Sequence, residues 1–278
     1  MYKTELDRKG RIEWAQTKRK RGRKKRRTRI FYAACIVLAA VCAWAQVNAM
    51  ICRKLEGGAK EVDSIFAGST TKEKKGMYTE KVECVFQNPE LPTGCEAAAG
   101  TMLLRAYGYE SEKTRTAGLL RKENRIEGEN GLVYGPDPDD AFVGDPSDQG
   151  GFGVFPGPLA EALQQIIDSQ EGVHTVRALY GLSERSILEY IDRGIPLCVW
   201  TSMYDMEIEW KTGWYLTKNG AITDEFFCWP SGEHCVVLTG YDEEEVVVCD
   251  PLEGECTYPR ESFFRHYEQV GSYALVVE

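Results

Sequence analysis

The spacing of apolar residues predicts three helices in the earlier part of the globular region. Good helix formers run from Glu96 to Tyr107, and Gly108 ends the run. Pro158–Ile167 gathers its leucines and isoleucines on one face, which predicts a second helix opened by a proline. A third helix is predicted over Ser183–Arg193, with Ser183 as its cap.

Strands dominate the later part of the chain. Apolar runs at Ile195–Thr201 and Tyr273–Val277 predict two strands, and Glu233–Thr239 with Glu245–Cys249 predicts a hairpin around a polar turn. Residues 121–158 are rich in Gly and Pro and predict a long ordered loop. Helices followed by a mostly antiparallel sheet indicate an α+β fold.

The first eighty residues divide into three segments of different composition. Residues 1–29 form a basic arm, and residues 30–52 are uncharged and largely apolar. Such a run is long enough to span a bilayer as one helix, and the basic arm then stays in the cytoplasm. A cleaved signal segment is the alternative. Residues 53–80 are polar and predict a stalk, so the domain at residues 81–278 is expected outside the cytoplasm.

Charge is distributed unevenly along the chain, and this limits the partners. The formal net charge is -9, yet residues 1–50 carry a balance of +11 and the remainder -20. A body this acidic repels nucleic acid, so no nucleic-acid partner is expected. The chain has no phosphate-binding Gly-x-x-x-x-Gly-Lys-Ser/Thr loop, which excludes an ATPase of that type on this chain.

The predicted hairpin brings a histidine and a carboxylate together. If its turn centres on Asp242, then His234 faces Asp250, Leu238 faces Val246, and Cys235 faces Cys249. A carboxylate beside an imidazole fixes the tautomer and stabilises the imidazolium, as a general base requires. An aspartate before a proline also caps turns, so the pair alone is a weak signal.

Cys95 completes a possible catalytic set. It follows Pro92-Thr93-Gly94 and opens the first predicted helix, where free N–H groups and the helix dipole favour a thiolate. A buried, inert thiol is the alternative for a single cysteine. Gln87 stands eight residues earlier, and its amide is a candidate donor to an oxyanion.

These residues resemble the motifs of the C39-like cysteine peptidases of the peptidase_C39_2 type, which are papain-like. The matching segments occur in consistent order over about residues 82–278: Gln87–Glu96, Phe142–Pro146, Gly153–Pro156, Gly194–Pro196, Trp200–Thr201, Glu233–Asp242 and Asp250–Leu252. The resemblance implies a papain-like fold with Cys95 as nucleophile, His234 as base, Asp250 as its orienting residue and Gln87 at the oxyanion.

The expected reaction is hydrolysis of a peptide, cell-wall peptide or isopeptide bond through a thioester, without a cofactor. Two other functions remain open: a papain-like binding module that lacks activity, and a Cys-dependent acyltransferase with the same three residues.

The remaining features are assigned structural roles. Buried thiols are expected at Cys235 and Cys249, a bridge is expected between Cys228 and Cys256, and Cys95 should stay unpaired. His174 and His266 are expected to be surface or capping residues. One loop is acidic but lacks the spacing of a calcium-binding loop; its acidic residues are Asp137, Asp139, Asp140, Asp145 and Asp148. Four tryptophans are expected in the core or at its rim: Trp200, Trp210, Trp214 and Trp229.

Overall fold

The computed structural model describes residues 77–78, 82–218 and 220–278. The predicted basic arm, the apolar segment and nearly all of the stalk lie outside the described residues. Within the described part, none of the helices combines the length and apolar character needed to cross a membrane.

An antiparallel sheet forms the centre of the described domain. Its strands lie in the order β12-β11-β10-β7-β13-β6, with β1 beside β10, and every pairing is antiparallel. The strands of this sheet are β1 Met77–Tyr78, β6 Val176–Tyr180, β7 Leu197–Ser202, β10 Glu233–Tyr241, β11 Glu245–Asp250, β12 Gly254–Pro259 and β13 Tyr273–Val277. The antiparallel sheet and the α+β order expected from the sequence are therefore present.

Helices cover both faces of this sheet. Their bounds are α1 Cys95–Ala106, α2 Lys113–Leu119, α3 Pro156–Ser169, α4 Glu184–Asp192 and α5 Arg260–Val270. The predicted cap of α4 is confirmed, since the Ser183 hydroxyl accepts a bond from the Ser186 N–H. Helices α2 and α5 were not predicted.

Two apolar cores lie on opposite faces of the sheet. One contains Met102 of α1 and Leu163 of α3 together with Cys235 and Val237 of β10. The other joins Phe263 of α5 to Val236 and other alternate residues of β10. Strand β10 is thus buried on both faces, and its apolar side chains alternate between the two cores.

The region predicted as one long loop contains short strands and part of a second sheet. Its elements are β2 Lys122–Glu123, β3 Ile126–Glu127, β4 Val133–Pro136 and β5 Phe142–Val143. Strands β3 and β4 extend a hairpin of β8 Glu209–Lys218 and β9 Ala221–Ser231, in the order β3-β4-β8-β9. This hairpin buries Trp214 and Trp229 and leaves Trp210 exposed, as expected for aromatics of a core and its rim.

The register of the β10–β11 hairpin differs from the prediction by two residues. Leu238 pairs with Val248 rather than Val246, and Val237 pairs with Cys249. A bulge between Leu238 and Gly240 adds a residue on one strand, which a symmetric turn does not anticipate.

The disulfide prediction was wrong. Cys249 is bonded to Cys84, in the segment before α1, whereas Cys228 and Cys256 are free. Cys84 lies 165 residues away in sequence, so hairpin geometry gave no indication of it. The predictions that Cys95 is unpaired and that Cys235 is a buried thiol are confirmed.

Candidate active site

Cys95 is the first residue of α1, and a tight turn places it there. A Cβ at Gly94 would lie 2.9 Å from the Leu91 Cβ and 3.1 Å from the Pro146 Cβ, so only glycine fits the turn without displacing its neighbours. The Thr93 N–H donates to the Pro146 carbonyl, and the Thr93 hydroxyl donates to the Asp148 carbonyl. These bonds fix the start of the helix against the loop that follows β5.

The Cys95 thiol lies among carboxyl groups. Its Sγ donates to Oε2 of Glu96 at 3.3 Å, and the sulfur and one oxygen from each of Glu96 and Glu233 lie within 4.8 Å of one another. Burial raises the pKa of Cys95 well above its ordinary value, and the charges of Glu96 and Glu233 raise it further; the Cys235 N–H opposes this. The thiol is therefore protonated at neutral pH in this arrangement.

Glu96 is completely buried and has two polar partners. Besides the thiol, its Oε1 accepts the Val154 N–H at 2.7 Å, and the missing side chain of Gly153 leaves room for the carboxyl. Burial raises the pKa of Glu96 to about 7, although bonds from Val154, its own N–H and Cys95 act in the opposite direction. Glu96 thus changes charge near neutral pH.

Glu233, the first residue of β10, is the second acid beside the thiol. It is 7% exposed, and its Oε1 has no hydrogen-bond partner among the described residues. Burial raises the pKa of Glu233 well above its ordinary value, and the charge of Glu96 adds to the effect. Two buried carboxyls this close do not both ionise readily, so Glu233 keeps its proton when Glu96 has lost one.

Cys95, Glu96 and Glu233 are also the described group whose side chains are close enough to hold a metal ion. The set mixes one soft thiolate with two hard carboxylates, which matches no single class of metal well.

His234 and Asp250 meet as the sequence predicted. His234 Nε2 lies 2.8 Å from Asp250 Oδ1, and the Tyr258 hydroxyl donates to Asp250 Oδ2 at 2.8 Å. Burial works to raise the pKa of Asp250, but bonds and charge from His234, with further bonds from the Leu252 N–H and Tyr258, hold it below its ordinary value. His234 and Asp250 are each 1% exposed.

The thiol of Cys95, in α1, and the imidazole of His234, in β10, lie on opposite sides of the sheet. Residues 233–238 pair with β7 without a bulge, so their side chains alternate between faces. Cys235 packs in the core that contains Cys95, whereas Tyr258, the partner of the His234–Asp250 pair, belongs to the other core. Within the described residues, the structure joins His234 to Asp250 but places Glu233, not His234, beside Cys95.

Gln87 connects the two loops that carry Cys95 and Asp250. Its Nε2 donates to the Pro92 carbonyl at 2.9 Å, and its backbone N–H donates to the Pro251 carbonyl. The side chain is buried, and its Oε1 has no partner in the described part of the chain. Gln87 thus connects both candidate segments, and the Pro92 carbonyl accepts one of its two amide N–H bonds.

Three residues escaped the sequence analysis. Glu96 and Glu233 each adjoin a predicted catalytic residue, Glu96 in a helix and Glu233 in a strand. A charged residue at the start of a largely apolar element was the available signal. His266 was expected to be a surface or capping residue but is completely buried. Its Nδ1 lies 2.9 Å from the Ser202 hydroxyl and 3.1 Å from Asp205 Oδ1.

Comparison with known proteins agrees with this fold. A sequence model of the Peptidase_C39 like family matches residues 79–275. YvpB of Bacillus subtilis strain 168, an uncharacterized protein, is 28% identical over 221 residues, which cover 78% of this chain and 82% of YvpB. A crystal structure from Bacillus anthracis, provisionally assigned as a C39-like peptidase, is 26% identical with a TM-score of 0.63, and the match covers 74% of this chain and 98% of that one.

Proposed function

Since the chain belongs to the Peptidase_C39 like family, we propose that it is a thiol-dependent peptidase or amidase with Cys95 as the nucleophile. The observation that carries this proposal is the position of a free thiol at the first residue of α1, where the N-terminal N–H groups of the helix are not used by the helix itself. These N–H groups suit the oxyanion of a tetrahedral intermediate formed at Cys95.

The motif adds a finer hypothesis for the residues around the nucleophile. His234 would take the thiol proton, Asp250 would orient the imidazole, and Gln87 would donate to the oxyanion. The bond between His234 and Asp250 supports this hypothesis. It also requires His234 to reach Cys95, and that step needs the start of β10 to turn its other face toward α1. The triad therefore stays a prediction.

The proposed substrate is a peptide or a cell-wall peptide, hydrolysed outside the cytoplasm. The Cys84–Cys249 bridge supports export, because disulfides persist in oxidising compartments. The basic arm followed by the apolar segment supports a single membrane anchor. Protease added to intact cells should then degrade the region after Cys52 and spare an epitope placed before Lys18.

The test of the nucleophile is a peptide-library screen with the full-length protein. Cys95→Ala should abolish hydrolysis of every substrate found, whereas Cys228→Ser, at another free cysteine, serves as the matched control and should retain it. Unchanged hydrolysis by Cys95→Ala would disprove the proposal.

A non-catalytic binding module is the second candidate, and one observation favours it. The Cys95 thiol is 7% exposed, is bonded to a carboxyl and has a raised pKa, which are properties of an inert thiol. Such a module would bind a screened peptide equally well with and without Cys95 and release no product. An acyltransferase would transfer the acyl group to an added amine, which product analysis by mass spectrometry detects.

A further inference from the structure

Arg125, which directly precedes β3, is a cation without an acidic partner. Apart from Arg115, which donates to the Ser169 hydroxyl, every other described Lys and Arg forms an ion pair with a carboxylate. Arg125 has neither an ion pair nor a hydrogen bond to any residue that the structure describes. We propose that its guanidinium binds a carboxylate of the peptide hydrolysed at Cys95, an inference that rests on the proposed function.

The guanidinium is held against two aromatic rings. Its Cζ lies 3.9 Å from the centroid of the Phe152 ring and 5.2 Å from that of the Trp214 ring. A guanidinium that stacks on a ring uses its flat face, so the N–H groups in its plane stay available. Those N–H groups point outward in pairs, which is the geometry that a carboxylate accepts through two parallel hydrogen bonds.

The stem of Arg125 is fixed in a slot beside β4. A Cβ at Gly135 would lie 2.7 Å from the Arg125 Cγ and 3.0 Å from the Trp214 Cδ1, so a larger residue there would displace the arginine or the indole. The indole is also fixed, because the Trp214 Nε1–H donates to the Pro136 carbonyl at 2.9 Å. The binding group is therefore ordered before a ligand arrives, which reduces the entropy lost on binding.

The nitrogens of Arg125 are accessible from solvent. The residue is half-buried, and none of its nitrogens is among the buried polar atoms of the described residues that lack a partner. Since these nitrogens have no partner in the described part of the chain, they lie where solvent reaches them. Burial lowers the pKa of Arg125 from its ordinary value, yet the guanidinium stays charged at neutral pH. A substrate carboxylate can thus reach a cation that has already lost part of its hydration.

The aromatic platform under Arg125 is close to the nucleophile along the chain. Phe152 lies two residues before Val154 in the loop between β5 and α3. The Val154 N–H donates to Oε1 of Glu96, and Oε2 of Glu96 accepts from the Cys95 thiol. An extended peptide advances about 3.3–3.6 Å per residue, so a substrate bound at Cys95 needs only a few residues to reach the guanidinium.

Trp229 packs against the same loop and keeps the platform at a fixed distance from the nucleophile. Its ring centroid lies 5.6 Å from that of Phe152, with the two rings nearly perpendicular. A Cβ at Gly153 would lie 3.0 Å from Trp229 Cη2 and 2.5 Å from Glu96 Oε1, so loop, indole and carboxyl are in close contact. The bound carboxylate should therefore lie at one defined number of residues from the scissile bond.

The charge of the domain makes a preference for carboxylates informative. The chain after residue 50 has a strongly negative balance, so the domain as a whole repels an anionic peptide. A preference for a carboxylate at one position must then come from a local cation.

The first test uses a peptide found in the library screen and the full-length protein. Glu and Gln are exchanged at each position within about five residues of the scissile bond, and the C-terminus is either free or amidated. At one position the carboxylate should raise kcat/KM by about 10- to 100-fold over the amide, the usual effect of a charge-assisted hydrogen bond. Preference for an internal Glu identifies a side chain as the ligand, and preference for the free C-terminus identifies the terminal carboxylate. No preference at any position would overturn the inference.

Variants of Arg125 assign the preference to this residue. Arg125→Met should hydrolyse the carboxylate and amide peptides with equal kcat/KM, and Arg125→Lys, which keeps the charge but loses the paired donors, should give an intermediate ratio. The matched control is Arg121→Met, at an exposed cation of the same segment that pairs with Glu123, and it should keep the wild-type ratio. Each ratio is measured on one protein sample, so a partial loss of folded protein cancels. A wild-type ratio in Arg125→Met would overturn the inference.

A binding measurement separates this inference from the proposed function. Cys95→Ala removes the nucleophile and leaves Arg125, so titration with matched Glu and Gln members of the peptide library, followed by the fluorescence of Trp214, measures affinity without turnover. The carboxylate peptide should bind about 10- to 100-fold more tightly, and the double variant Cys95→Ala/Arg125→Met should lose the difference. Absence of hydrolysis by the wild-type protein would refute the proposed function alone. Equal affinities of Cys95→Ala for the carboxylate and amide peptides would refute the carboxylate subsite alone.

Discussion

Substitution of Glu96 by Gln should stabilise the protein, and the effect should depend on pH. Burial raises the pKa of Glu96 from 4.5 to about 7 on folding. The folded protein therefore binds this proton more tightly than the unfolded chain, so stability falls as pH rises between these two values. At about 1.4 kcal/mol per pH unit, the penalty reaches about 3 kcal/mol above pH 7 and vanishes below pH 4.5. Glutamine carries no such penalty.

Urea unfolding, followed by the fluorescence of buried residues such as Trp200 and Trp214, measures the effect. The free energy of unfolding of Glu96→Gln minus that of the wild-type protein should be larger at pH 8 than at pH 4.5 by up to about 3 kcal/mol. Any cost of placing an amide at this position is the same at both pH values and cancels in the comparison. Glu161→Gln is the exposed control. A difference between variant and wild type that is equal at pH 4.5 and pH 8 would refute the reasoning.

Three further predictions follow from the site and its surroundings. Mapping of the non-reduced protein should recover Cys84 joined to Cys249, and Cys84→Ser should lower the free energy of unfolding by about 2–5 kcal/mol; a free Cys84 would contradict this. Tyr258→Phe removes a hydrogen bond to ionised Asp250 and should lower the free energy of unfolding by about 1.5–3 kcal/mol at pH 7. The loss should be smaller in acid, because the lowered pKa of folded Asp250 contributes stability that disappears as pH falls. An equal loss at both pH values would show that the partner is not charged. Gln87→Ala should lower the rate of hydrolysis by about 10²- to 10³-fold if Gln87 binds the oxyanion, and a normal rate would remove it from the site.

The sequence predicted those elements whose local signals agree with their burial. Helix α1 was anticipated because helix formers end at a glycine, and α4 because its serine cap is unambiguous. Helix α5 was missed although Phe263, Phe264, Tyr267 and Val270 recur at helical spacing with polar residues between them, which is the pattern of an amphipathic helix. Helix α2 has only seven residues and two buried side chains, too few for a periodic signal.

The residues that contact the candidate site residues were harder to predict from the sequence. The contact between His234 and Asp250 was found although the assumed register was off by two residues, because such a shift preserves the face on which each side chain lies. The partner of Cys249 was not found because it depends on a contact across 165 residues. Long-range contacts of this kind leave no trace in local periodicity.

The identity of the residue beside Cys95 depends on which face of β10 points toward α1. Adjacent residues Glu233 and His234 point to opposite faces, so only one of them reaches the thiol. In a strand with one solvent-exposed face, the alternation of polar and apolar residues would show which face points inward. Strand β10 is buried on both faces, so its sequence pattern does not distinguish them. The bonds made by Asp250 to His234 and Tyr258 favour the observed face, whereas the buried acid pair opposes it. The acid pair costs less when Glu233 stays protonated, and the raised pKa of Glu233 keeps it so beside a charged Glu96.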